Sequence, residues 1–232
     1  MTPRRLGMLI PSSNTVVEPE TARLLAGDES LTTHIARLRV VTISDDAGSR
    51  GQFDHQAVVN AAELLADAKV DLILWNGTSA GWLGFAWDRD IVRAIETHTG
   101  IPATTAVMAL NDELARLGAR RIGLVTPYIA ALEAQIIENY RGIGIDVVSA
   151  VRSDLTENTD YAAISPATIA EMVRSVARAP VDAVLILCTN LAGATIAEPL
   201  ARELSVPVLD SVRVAVEHAR RRIASGASAL PS

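Results

Sequence analysis

The chain has 232 residues, of which 49% are hydrophobic and 21% charged, and it carries a net charge of −6. A chain of this size buries a large core without help from disulfides or metal, and its single cysteine allows no internal bridge, which points to a reducing, cytoplasmic setting. The acidic balance has no basic stripe beyond Arg4-Arg5 and Arg220-Arg221-Arg222, which argues against nucleic acid as a partner; no apolar run reaches the roughly 18 to 20 residues that span a bilayer, and Met1 to Arg5 show no signal-peptide pattern.

Apolar β-type runs alternate with amphipathic helical patterns along the whole chain. The first four strands are expected at Leu6–Ile10, Ile35–Val41, Val70–Trp75 and Pro102–Val107, with helices over His55–Ala68, Asp88–Thr97 and Ala106–Leu117. Four more strands follow at Ile122–Val125, Ile145–Val151, Val181–Leu187 and Val206–Leu209. Helices are expected there over Pro166–Ala179 and Val212–Ile223. Such alternation builds parallel sheets from βαβ units, and the Ala, Val, Leu and Ile of these runs suit strands covered on both faces.

The order contains a duplication. Arg5-Leu6-Gly7 returns as Arg121-Ile122-Gly123, an offset of 116; Val70-Asp71-Leu72 returns as Val181-Asp182-Ala183, an offset of 111; Ile101-Pro102 returns as Val206-Pro207, an offset of 105. Three matches in one order predict an α/β fold of two flavodoxin-like half-domains with parallel sheets, related by a pseudo-twofold axis. The expected halves are residues 1–113 and 114–232, joined rigidly through the Ala106–Leu117 helix, with the C-terminal helix packing back on the first half. Nothing resembling a Pro/Gly/Ser linker separates them.

Ligands in such sheets bind beyond the carboxyl ends of the strands. Polar clusters fall there at Pro11-Ser12-Ser13-Asn14, Gly77-Thr78-Ser79, Pro127-Tyr128 and Cys188-Thr189-Asn190. The twofold sets Ser12 against Tyr128 and Gly77 against Cys188. An acid/base group on one face and a bare glycine on the other suits delivery of a proton to one side of a carbanion. Each cluster also has a plain structural reading. Cys188 is the right size for a buried hydrophobe, Thr78 and Ser79 for helix caps, Asn158 for a turn, and Tyr128 for a cover on the core edge. Placed at a helix start, Cys188 is expected to have a lowered pKa. Trp82, Phe85 and Trp87 are candidates either for an apolar wall or for a loop anchor. The four histidines show no metal-ligand spacing, and no glycine-rich nucleotide loop is present, so no metal or nucleotide cofactor is called for.

Pro11-Ser-Ser-Asn-Thr, Asn76-Gly-Thr-Ser, Thr126-Pro-Tyr-Ile and Leu187-Cys-Thr-Asn together resemble the maleate isomerase and arylmalonate decarboxylase branch of the aspartate/glutamate racemase superfamily. The resemblance implies catalysis without metal or organic cofactor in a cleft between the halves. It implies two flanking cysteines in racemases and isomerases, of which Cys188 is the second and Gly77 replaces the first, as in arylmalonate decarboxylases. It further implies a dioxyanion hole from the hydroxyls of Thr78, Ser79 and Tyr128, with amides near Thr78 and Thr189. Asn14 and Asn158 resemble the carboxylate-holding asparagines of the isomerases instead. The leading expectation is decarboxylation of a substituted malonate-like diacid with protonation by Cys188. The alternatives are a maleate-type isomerase or racemase, or a carboxylate-binding protein that has lost catalysis. A homo-oligomer is compatible with the sequence.

Overall fold

The computed structural model describes residues 2–226, apart from the side chains of Ser49 and Arg50. Residue 1 and residues 227–232, the outermost parts of the expected halves, lie outside the described residues. Among the described residues eight strands form two four-stranded parallel sheets. The first contains β1 (Arg4–Pro11), β2 (Leu31–Leu38), β3 (Leu72–Trp75) and β4 (Ala103–Thr105), in the order β2-β1-β3-β4. The second contains β5 (Arg121–Thr126), β6 (Asp146–Arg152), β7 (Ala183–Ile186) and β8 (Val208–Asp210), in the matching order β6-β5-β7-β8.

Helices of the first half are α1 (Val17–Leu24), α2 (Ala47–Gly51), α3 (His55–Asp67), α4 (Ala80–Leu83), α5 (Phe85–Thr99) and α6 (Ala106–Leu117). Those that follow are α7 (Ala130–Gly142), α8 (Asn158–Ala162), α9 (Pro166–Val176), α10 (Ala197–Leu204) and α11 (Ser211–Ala224). Every residue of β3 and β7 is buried, as helices on both faces require. The last helix, α11, packs on α6, α1 and β3 as well as on β8. Among the described residues no helix is long and apolar enough to cross a membrane.

The ladders carry the duplication. Leu6 pairs with Leu72 in the first sheet and Ile122 with Ala183 in the second; Ile73 pairs with Ala103 and Val184 with Val208. These are the same offsets of 116, 111 and 105 that relate the sequence repeats. Physical reasons for the repeated residues are visible. Asp71 accepts the Arg5 amide at 2.7 Å, and Asp182 accepts the Arg121 amide at 2.8 Å, tying equivalent strand starts together. A Cβ on Gly7 would stand 2.9 Å from Val70 Cγ2, and one on Gly123 would stand 2.9 Å from Val176 Cγ2. Both glycines let a valine press directly on the central strand.

Boundaries differ from the sequence reading where polar chemistry intervenes. The second strand runs over Leu31–Leu38 rather than Ile35–Val41, so Arg39, Val40 and Val41 leave the ladder. The fourth strand stops at Thr105, whose hydroxyl caps α6 by accepting the Met108 amide at 3.0 Å. Pro19 and Pro199 sit in the first turns of α1 and α10, where amides have no intrahelical acceptor and proline is tolerated.

Gly123→Ala should cost about 1–3 kcal/mol by overpacking, more than the ~0.4–1 kcal/mol gained from a stiffer unfolded chain. Urea denaturation measures the loss, and adding Val176→Ala should recover part of it. An unchanged midpoint in Gly123→Ala would show that the valine yields freely.

Candidate active site

The polar strand ends meet in a small cavity. Its wall includes Gly77, Thr78 and Ser79 from the turn after β3, Tyr128 from the end of β5, Cys188 and Thr189 after β7, and Asn158 at the start of α8. Apolar residues complete it: Pro11, Val40, Ile43, Phe53, Trp75 and Trp82. The free volume is about 20 Å³, room for one water, so a diacid enters only when part of the wall moves. No lysine, arginine, aspartate or glutamate lines it.

Hydrogen bonds knit the halves around this space. The hydroxyls of Thr78 and Tyr128 share a bond of 2.8 Å. Thr189 Oγ1 donates to the Asn76 carbonyl at 3.1 Å and accepts from Asn14 Nδ2 at 3.2 Å. Asn190 accepts the Thr15 amide at 3.1 Å and donates to the Asn158 carbonyl at 2.5 Å, while Asn158 Nδ2 donates to Ser13 Oγ at 2.7 Å. The residues that left β2 cross over the cleft: the Ile43 amide donates to the Thr156 carbonyl at 2.8 Å, and the Asn158 amide to the Val41 carbonyl at 3.0 Å. Val40 and Ile43 thereby become wall, a role for which the sequence carried no signal: Val40 lay in the strand-like run to Val41 and Ile43 beyond it.

The individual expectations separate here. Asn14 is buried behind Thr189 rather than in the wall, and its Oδ1 accepts the amides of Val16 and Val17 at 2.9 and 3.0 Å. Ser79 caps nothing: its buried hydroxyl lines the cavity without a partner. Of the three aromatics, Trp82 lines the wall, edge-on to Tyr128 at 4.8 Å, whereas Phe85 packs on Tyr140 and Trp87 on Phe53 and Trp75.

Cys188 corrects one expectation. It lies in a turn, and the next helix, α10, begins only at Ala197. The Asn190 amide does reach its sulfur at 3.4 Å, and the Tyr128 hydroxyl also favours the thiolate. Burial outweighs both: the thiol is 3% exposed and its pKa is pushed up to about 12. Burial likewise holds the Tyr128 phenol far above its usual range, with Cys188 and Tyr161 adding to the effect. At neutral pH the site therefore presents a protonated thiol and a protonated phenol.

Gly77 shares the cavity wall with this thiol, and a side chain there would meet a steric obstacle. A Cβ on residue 77 would lie 2.4 Å from Trp75 Cζ2 and 2.6 Å from Cε2. The place of a side chain at residue 77 is already filled by the indole.

A sequence profile of the arylmalonate decarboxylase family matches residues 6–230. The chain belongs to this family. It is 26% identical to the maleate isomerase of Geobacillus stearothermophilus, over 89% of this chain and 86% of that protein. It is 27% identical to the arylmalonate decarboxylase of Bordetella bronchiseptica, over 97% and 93%. Its fold matches a cysteine-to-serine variant of the Nocardia farcinica maleate cis-trans isomerase carrying a covalently bound succinylcysteine intermediate, with a TM-score of 0.87 at 23% identity, covering 95% of this chain and 93% of that one. Family membership thus embraces both a lyase and an isomerase, and the reaction has to be argued from the side chains.

Two measurements probe this geometry. Gly77→Cys alone should lose about 1–3 kcal/mol in urea denaturation, and Trp75→Leu in the same chain should restore most of it; equal losses in the single and double variants would place the ring elsewhere. Iodoacetamide should label Cys188 slowly at pH 7, with a rate still rising about tenfold per pH unit above pH 9, because the thiolate is the nucleophile. A rate that levels off near the ordinary cysteine pKa of about 8.5 would show an unburied thiol.

Proposed function

We propose that the protein is a cofactor-independent carboxy-lyase that decarboxylates a substituted malonate-like diacid and protonates the resulting carbanion with Cys188. The observation that carries this reading is the pairing of Cys188 with Gly77, whose side-chain space Trp75 fills. The site offers one acid/base group on one face.

The chemistry balances on these residues. The bond from the α-carbon to one carboxylate breaks, its electron pair moves onto the α-carbon and into the retained carboxylate, and CO₂ departs. The retained group becomes an enediolate. In this reading Ser79 donates to its oxygens together with whichever of the Thr78 and Tyr128 hydroxyls does not donate to the other, and the raised pKa of the phenol keeps it protonated as charge grows. Cys188 then transfers its S–H proton to the α-carbon, and solvent returns a proton to the thiolate. A thiol protonated at neutral pH suits this acid role better than that of an attacking thiolate. The apolar wall of Val40, Ile43, Phe53 and Trp82 excludes water and strengthens each donor.

A second reading, maleate-type isomerisation, has one observation in its favour: Asn158 lines the cavity. Asn14, the other asparagine that reading needs, is committed to α1 and Thr189.

Proton NMR in D₂O with a panel of substituted malonates and maleate tests the assignment. The expected product is a monoacid carrying deuterium at the α-carbon, lost in Cys188→Ala and slowed about 100-fold or more in Tyr128→Phe. Fumarate from maleate would replace the lyase reading with the isomerase one. Binding of diacids without turnover, unchanged in Cys188→Ala, would make the protein a carboxylate binder.

A further inference from the structure

We propose that Trp75 is a substrate-contacting specificity residue, whose indole N–H donates to a carboxylate in the cavity while its ring fills the wall at Gly77. This rests on the diacid reading of the site.

Three observations converge. Trp75 is completely buried, yet its Nε1 has no hydrogen-bond partner. A buried indole N–H ordinarily finds an acceptor, and leaving one unmet is costly unless a ligand supplies it. Trp75 also lines the cavity, and the side of its ring at Gly77 is Cε2–Cζ2–Cη2: Cε2, the atom bonded to Nε1, lies 2.6 Å from where a Cβ would stand. Finally, the cavity has no cationic side chain, so an anion there is held by neutral donors alone. Ser79 Oγ is one such unpartnered donor, and Trp75 Nε1 is the other in the wall.

Trp75 is also where the two halves part company. Its counterpart in the second sheet, at the same offset of 111 that relates Gly77 to Cys188, is Ile186; Trp75 pairs with Leu9 as Ile186 pairs with Val125. Ile186 leaves room for a side chain two residues on, and Trp75 does not. The ring is braced from behind by Trp87, centroid to centroid at 6.2 Å, so it is held in place before any ligand arrives. A substrate bound beside Cys188 meets a proton donor there and the edge of the indole at Gly77. Its α-substituent is confined by the same ring.

The test uses full-length protein with Cys188→Ala to block turnover and ¹⁵N-labelled indoles, whose three N–H signals come from Trp75, Trp82 and Trp87. The Trp75 signal is assigned by its loss in Trp75→Phe or, should that variant not fold, by elimination with Trp82→Phe and Trp87→Phe. Methylmalonate, phenylmalonate and maleate are titrated in turn. The expected result is a downfield move of the Trp75 signal that saturates with binding. Trp75→Phe, with an unaltered urea midpoint, should bind the same diacid about 10- to 100-fold more weakly. A diacid that binds, by calorimetry, without moving the Trp75 signal or with equal affinity in Trp75→Phe overturns the proposal while leaving the diacid reading intact. No binding by any of the three removes the diacid reading, and this inference with it.

Discussion

Setting the carboxyl ends of two parallel sheets against each other encloses backbone carbonyls and amides in a seam with almost no room for water, and each has to find a partner there. The rest of the site follows from how this chain meets that requirement. Asn190 is bonded to Thr15, Thr189 to Asn76 and Asn14, and Asn158 to Ser13, so that short polar side chains of one half satisfy groups of the other, while a bond from Asn190 to the Asn158 carbonyl ties two loops of the second half together. The asparagines of these loops are first of all the mortar of the seam. Against this satisfied background, the few wall groups left unpartnered, Ser79 Oγ and Trp75 Nε1, stand out as the ones with capacity for a ligand.

The frame is nearly symmetric and the chemistry is not. Equivalent strands and equivalent aspartate clamps build both halves by one plan, and in each a glycine of the central strand makes room for a valine. On that plan residue 77 and residue 188 should be alike. The bulk of Trp75 crowds out a side chain at the first, whereas its counterpart at the second is the smaller Ile186. Burial then decides what the thiol is: desolvation disfavours the thiolate more strongly than the neighbouring amide and phenol favour it. An isolated, protonated sulfur is equipped to give a proton. That distinction separates the lyase proposal from the isomerase reading within a family whose relatives include both.

Much of this was legible in the residues. All eight strands were expected within a few positions, because β3 and β7 are continuous apolar runs and the repeats Arg-Leu-Gly and Arg-Ile-Gly mark equivalent starts. The clusters at residues 77–79, 128 and 188–189 were found by their place at strand ends, and the fold does bring them into one cavity. Other features had no local signal. Val40 read as more strand, Ile43 carried no reading, and Trp75 read as the end of an apolar strand. Cys188 read as the start of a helix that in fact begins at Ala197.

Local pattern by itself determined the α/β class, the duplication and the residues that would carry polar chemistry, since periodicity and strand-end position are properties of neighbouring residues. Tertiary structure alone decided that Trp75 fills the space above Gly77, that Asn14 stands behind the wall while Asn158 stands in it, and that the thiol is protonated. Those depend on which side chains from opposite halves share one small, dry volume, and on how much water that volume excludes.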